Sequence, residues 1–285
     1  MDFTRTDARA WPPGCAAIEE ILPHTTHMGI GAHQDDLEIM AFHGISECFD
    51  SKEKQFTGVT CTDGGGSARS GEFANFTDEE MRTVRILEQE RAAEAGRYLA
   101  MLQLQHPSAD IKNPEDHQLR KELSTILRAA GPSVLYIHNP ADKHETHIAV
   151  FVETIAAIRE LPPNERPGKV LGCEVWRGLD WMLDDDKIAL GIGGRATLAE
   201  ELIQLFESQI AGGKRYDLAS QGRRLSNSTY HQSHKVDTEE EILFAMDLTP
   251  LSRDDTVDIL DYTCGLLRRF EDDVVEKLSR QLGRK

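Results

Sequence analysis

The sequence of 285 residues is poor in cysteine, and none of it forms a CxxC pair. Cys15, Cys48, Cys61, Cys173 and Cys264 are scattered and odd in number, which argues against a disulfide framework and against a cysteine-based zinc site. Positive charge is scarce as well. The 32 lysines and arginines face 49 acids, giving a net charge of −17. A nucleic-acid partner requires a basic surface to neutralise phosphates, so none is expected. Long apolar runs are missing, and no stretch approaches the ~20 residues of a membrane span. The opening MDFTRTDARAWPPG is charged and broken by prolines, so it does not read as a signal peptide. A cytoplasmic location is the resulting expectation.

What is present is ordinary for an enzyme: 39% hydrophobic and 28% charged residues, in a chain long enough to bury a sizeable core. Short apolar runs at 27–32, 56–62, 99–105, 133–138, 170–176 and 187–190 read as strands. They alternate with helical patterns at 35–48, 78–98, 117–130, 145–160 and 196–210. This alternation predicts an α/β fold, with a Rossmann-like, mainly parallel sheet and helices on both faces. A single domain over 1–285 is expected. The polar stretch 212–237 reads as a loop or lid. Residues 252–282 read as a helical segment with Ser252 as N-cap and an acidic start at Asp254, Asp255 and Asp258.

In open α/β sheets ligands bind beyond the carboxyl ends of strands, and two such loops carry chemistry. The first reads Gly31-Ala32-His33-Gln34-Asp35-Asp36-Leu37-Glu38. Burying a histidine and two aspartates in one turn is costly without a compensating partner such as a metal ion. His33 and Asp36 are three apart, so a tight turn brings them together and sends Asp35 elsewhere, free to act as a base. The second loop, Asn139 to His147, follows the 133–138 run. Asp142 and Glu145 resemble a capping box that starts a helix just after Asp142. His144 and His147 then lie one turn apart. Either loop alone is a weak metal signal. Each just beyond a strand of one α/β pattern, they make a combination of two imidazoles and a carboxylate that leaves a coordination position open, as in catalytic zinc sites.

At these residues the sequence resembles the PIG-L/LmbE-like N-deacetylases, whose motifs usually read Ala-His-Pro-Asp-Asp-x-Glu and His-Pro-Asp-His. Further echoes are Thr62-Asp63-Gly64-Gly65, Arg85-x-x-Glu88-Gln89 and Ser208-Gln209. Gln34 stands where the family has proline, and Glu145-Thr146 replace Pro-Asp between the histidines. An aspartate that usually supports the site is therefore absent, with Asp142 as the candidate substitute. The resemblance implies a zinc cofactor (Zn2+) held by His33, Asp36 and His147, with Asp35 as general base and His144 as the group that stabilises the oxyanion. It also implies a small N-acylated substrate, mostly an N-acetylated amino sugar or its conjugate.

Weaker candidates surround this set. Arg69, beside the Gly64-Gly65-Gly66 loop, is a candidate substrate contact, as are Glu174, Trp176 and Arg177, because sugars stack on aromatic faces while charged groups bind hydroxyls. The glycine loop lacks the Walker lysine and the GxGxxG spacing for phosphate binding. His231 and His234 form a second HxxH with no matching carboxylate loop and read as lid or interface residues. His138 reads as a residue beside the site. Lys214, Arg215, Arg223 and Arg224 cluster on an acidic chain, either to meet an anionic substrate group or to pair with surface acids. A zinc amidase acting on a non-sugar amide, and a nucleotide-binding protein using the glycine loop, are the rival readings. Homo-oligomerisation is left open.

Overall fold

The computed structural model describes residues 1, 3–12 and 18–284, so Cys15 lies outside the described residues. Eight strands form one sheet: β1 Arg9–Trp11, β2 His27–Gly31, β3 Phe56–Thr62, β4 Ala100–His106, β5 Val134–His138, β6 Lys169–Cys173, β7 Lys187–Gly191 and β8 Ile242–Asp247. Their order is β1-β4-β3-β2-β5-β6-β8-β7. The five central strands are parallel, while β1 pairs antiparallel with β4 on one side, and β8 and β7 pair antiparallel beyond β6 on the other. From β2 the chain builds outward through β3 and β4. It then crosses back to lay β5 on the other side of β2. The crevice between the carboxyl ends of β2 and β5 is therefore a topological switch point, where such sheets bind ligands.

Helices cover both faces because the central strands are apolar on both sides. Met28 and Ile30 of β2 join one core with Leu123, Ile126, Val150 and Phe151, from helices Gln118–Ala130 and Glu145–Arg159. The opposite core gathers Leu37, Met40, Phe42, Phe56, Met101 and Tyr136. Gly29 allows that second layer its close approach, since a Cβ there would meet Leu37 at 2.9 Å. Helix Asp78–Ala95 opens with a full capping box between Thr77 and Glu80.

Several expectations need correction. β1 and β8 were not foreseen: β1 has only three residues, and the run Ile242–Asp247 is too short to classify by periodicity. The 35–48 helix is two helices, Asp36–Met40 and Phe42–Cys48, broken at Ala41. The 196–210 pattern is likewise split, into Ala196–Gln204 and Glu207–Ala211. Ser252 is buried inside the short helix Thr249–Arg253, and the long helix Ile259–Gln281 is capped instead by Asp258, which accepts from the Asp261 N–H at 2.9 Å. The polar stretch expected as a loop is mostly the helix Tyr216–Tyr230. Its buried positions are Ser220, Arg224, Asn227 and Ser228, while Leu218 and Leu225 are exposed. That inverted pattern hides a helix from any search for an apolar stripe. Cys48, Cys61, Cys173 and Cys264 are free thiols. No helix among the described residues is long and apolar enough to cross a membrane.

Candidate metal and active site

Both predicted loops meet at the β2/β5 crevice. Asp36 sits at the first turn of its helix, 2% exposed, and its Oδ2 accepts the His33 backbone N–H at 2.7 Å. Two ring nitrogens and both oxygens of one carboxylate converge: His33 Nδ1 lies 3.4 Å from Asp36 Oδ2 and 3.1 Å from His147 Nε2, and His147 Nε2 lies 3.5 Å from Asp36 Oδ1. Ligands at tetrahedral zinc, with bonds near 2.0–2.1 Å, stand about 3.3 Å apart. The residues present therefore fit such an ion. Burial disfavours the charged form of Asp36, yet the imidazoles of His147 and His138 hold its carboxyl well below the usual range. Burial also pushes the His147 imidazole down to about 4, leaving the neutral form that a metal requires.

Two groups able to hold a metal share His147, one adding His33 and His144 and the other adding Asp36 and His138. His138, fully buried at the end of β5, has Nε2 3.3 Å from Asp36 Oδ2. That same nitrogen accepts the Ala32 N–H at 2.9 Å, so its lone pair is already used. It supports the turn. His144 is the N-cap of helix Glu145–Arg159, with its ring centre 4.6 Å from that of His147 and 4.8 Å from that of His33. Burial pushes its imidazole down, with His33 adding to the effect, and its Nδ1 has no protein partner.

The expected capping box at Asp142 is not formed, because the Asp142 carboxylate has other partners. Its Oδ1 accepts the N–H groups of Lys143 and His144 at 2.6 and 3.1 Å. Its Oδ2 lies 3.4 Å from His147 Nδ1 and accepts the Trp176 N–H at 3.2 Å. It thus occupies the position that orients a ligating imidazole.

Asp35 is parted from its neighbour by backbone strain. Its φ of 88°, unusual for a residue with a side chain, turns the carboxylate away from Asp36 onto Arg85, whose Nη2 lies 2.8 Å from Oδ2. Arg85, 1% exposed, also donates to Glu88 at 2.9 Å, and Glu88 receives Ser208 through both its N–H and its hydroxyl. With Gln89, whose Oε1 accepts the Asp35 N–H at 3.3 Å, the Arg85, Glu88 and Ser208 echoes form one buried network beneath the Asp35–Asp36 turn. Burial pushes Asp35 up to about 6, opposed by Arg85 and assisted by Asp36. Gln34, in the place of proline, ties the turn to β3 through the Thr62 carbonyl at 3.1 Å.

Above these groups opens a cavity of about 490 Å³. Its walls include Gly64, Gly66, Ser67, Thr146, Trp176 and Tyr216. Of the predicted substrate contacts, Trp176 lines it. Glu174 does not: it is 2% exposed, and its carboxylate accepts from the Leu179 and Phe244 N–H groups and the Asn227 amide. It fastens the edge of the sheet. Arg177 is exposed and outside the lining, and Arg69 is held by the Gly65 carbonyl and Asp78. His231 packs on Phe244, and neither it nor His234 joins a metal-ligating group among the described residues. Tyr216, Lys112 and Ser108 were missed as wall residues. Tyr216 begins the helix whose apolar face is turned outward, and Lys112 and Ser108 belong to no motif.

No curated protein matches the chain. The N,N'-diacetylchitobiose deacetylase from Pyrococcus horikoshii has a similar fold, with TM-score 0.58 and 17% identity over 80% of this chain and 88% of the other. The A40926 pseudoaglycone deacetylase matches with TM-score 0.57 and 12% identity over 79% and 97%. The 4-carboxy-2-hydroxymuconate hydratase from Pseudomonas putida KT2440 matches with TM-score 0.59 and 16% identity over 79% and 96%. Residues 28–158, which contain His33, Asp35, Asp36, His144 and His147, match the model of the family PIG-L: GlcNAc-PI de-N-acetylase.

Proposed function

We propose that the protein is a zinc-dependent hydrolase that removes an N-acetyl group from an amino sugar or sugar conjugate. The observation that carries this reading is the convergence of His33 Nδ1, Asp36 and His147 Nε2 within 3.1–3.5 Å beside an unstacked carboxylate, Asp35. His33, Asp36 and His147 would hold the ion. When bound, zinc supplies Lewis acidity, which acidifies water and polarises an amide carbonyl. Asp35, turned away from the ligand set by its positive φ, takes the proton of the attacking water. It returns that proton to the nitrogen as the C–N bond breaks, releasing acetate and a free amine. His144, at the cavity wall, donates to the carbonyl oxygen as negative charge develops there. Arg85 fixes the Asp35 carboxylate in place. The parallel strand order β4-β3-β2-β5-β6, with its switch point at β2/β5, supports a Rossmann-like classification.

Fold alone does not select this reaction, since a hydratase shares the architecture. The deacetylases among the neighbours, and the family whose model matches residues 28–158, favour amide hydrolysis. The deciding experiment incubates metal-loaded protein with N-acetylglucosamine, its oligomers and conjugates, and acetylated amino acids, and measures free amine. Amine release from the sugars is expected. Release from acetyl amino acids alone would transfer the reading to a non-sugar amidase.

A further inference from the structure

Beside the main cavity lies a smaller chamber of about 140 Å³, and the two share Asp35, Asp36, Trp176 and Tyr216. Three segments build it. Ile39 stands one turn into helix Asp36–Met40, its N–H donating to the Asp35 carbonyl at 3.3 Å. Val175 and Trp176 come from the connection after β6. Tyr216, Ala219, Ser220 and Arg223 are spaced so that they form one face of helix Tyr216–Tyr230. Arg223 donates a guanidinium N–H to the Val175 carbonyl, which ties that helix to the connection. The Trp176 and Tyr216 rings, which border both chambers, meet edge to face with centres 6.1 Å apart.

The two chambers differ in chemistry. The larger is walled by Ser67, Ser108, Lys112, Gln209 and Lys214, and both His33 and His144 border it. The smaller is bordered by neither imidazole, and beyond the shared carboxylates its surface comes chiefly from Ile39, Val175, Trp176, Tyr216 and Ala219. An N-acyl amino sugar is divided in the same way, with hydroxyls on the amine side of its amide and hydrocarbon on the other. Burying hydroxyls against carbon is costly, whereas burying hydrocarbon there is favourable. With the amide at Asp35 and Asp36, the sugar belongs in the larger cavity and the acyl group in the smaller. Size adds a second constraint. An apolar cavity of about 150 Å³ admits benzene, so this chamber has room for roughly six carbons, far more than the methyl of an acetyl group requires.

Building on the proposed amide hydrolysis at this site, we infer that the preferred acyl group is larger than acetyl: a chain of about four to six carbons, seated between Ile39 and the Ala219–Ser220 turn. The small side chains at 219 and 220 leave the space that it takes. The water oxygen adds to the carbonyl carbon, the C–N bond breaks and a water proton passes to the nitrogen. The products are a short-chain carboxylate and the free amine.

The test measures amine release by the zinc-loaded protein from N-acetyl-, N-butanoyl-, N-hexanoyl- and N-dodecanoylglucosamine. In parallel, calorimetry measures binding of the acetyl and hexanoyl compounds to the Asp35→Asn protein. From acetyl to hexanoyl, kcat/KM should rise by up to about fourfold per added methylene, mainly through KM. It should fall for dodecanoyl, which the chamber is too small to hold. Ala219→Phe fills the chamber from its helix side and should lower the hexanoyl-to-acetyl ratio by about tenfold or more. Ala219 is exposed, so its replacement tests the chamber where a change at the buried Ile39 might disturb folding. A kcat/KM that is highest for acetyl and falls with each added carbon would overturn the inference and leave the deacetylase reading intact. A continued rise to dodecanoyl, or an unchanged ratio in Ala219→Phe, would also overturn it. Tighter binding of the hexanoyl compound that Ala219→Phe abolishes, without amine release from any compound, would reverse the outcome: the acyl chamber would stand and the deacetylase reading would fall.

Discussion

The two sides of the cavity are built differently. The inner side comes from the ends of adjacent parallel strands, β2 and β5, and from the first turns of the helices that follow them. Its ligand candidates are separated by only a few residues within each loop, and sheet register fixes the distance between loops. The outer side comes from the connection after β6 and from the start of helix Tyr216–Tyr230, with Trp176, Lys214, Tyr216 and Arg223. Those residues are brought in by tertiary packing, and several are exposed or half-buried. On the proposed reading, chemistry would sit on the side built from the sheet and its first helical turns, and recognition on the side built from connecting segments.

That contrast sets the expected ranking of substitutions. Replacing an inner ligand should have the largest effect: His147→Ala should remove most of the zinc and with it measurable turnover, as metal analysis beside an amine-release assay would show. Full zinc occupancy in that protein would break the ligand assignment. Asp35→Asn keeps the hydrogen-bonding shape but removes the base. It should retain zinc and lose ~10²–10⁴-fold in kcat, so near-normal turnover would strip Asp35 of its role. His144→Ala should also retain zinc and lose ~10²–10³-fold, in kcat more than in KM. A zinc loss matching that of His147→Ala would make His144 a ligand instead.

The same contrast explains what the sequence made legible. The inner side could be read because HxDD and HxxH place their groups within a turn of each other, and each follows a strand visible as an apolar run. The support beneath Asp35 was visible only as separate echoes, because Arg85 and Ser208 lie 123 residues apart. Their meeting is a property of packing. Glu174 read as a sugar-binding acid because sequence cannot show that its oxygens are taken up by three buried donors. Helix Tyr216–Tyr230 was hidden for a related reason: its inward face is held by polar contacts, such as the Arg224–Glu241 pair and the Asn227 bond to Glu174, while its leucines point outward. Composition in that stretch describes a loop, and tertiary hydrogen bonding makes a helix.

Asp142 is where the comparison can be sharpened, because it touches both sides. One carboxylate oxygen serves both the His147 imidazole and the Trp176 N–H. Asp142→Asn should lower zinc affinity by about 10–100-fold, the usual effect of losing the group that orients a ligand. If the link to Trp176 matters, KM should rise as well once zinc is restored to saturation. A change in metal affinity with no change in KM would show that the two sides are independent.

The smallest effect is expected on the outer side alone. Trp176 borders the cavity between His144, at 6.2 Å between ring centres, and Lys214, but it supplies no group to the reacting bond. Its contribution is apolar surface and an aromatic face, worth roughly 0.5–1.5 kcal/mol beyond area burial in pair measurements. Trp176→Ala should therefore raise KM by up to about tenfold, by that same conversion, while zinc content and kcat change little. Initial-rate kinetics at saturating zinc separates these quantities. A large fall in kcat would mean that the ring holds His144 or excludes water during the reaction, which would place Trp176 on the chemical side of the cavity and erase the division between its two walls.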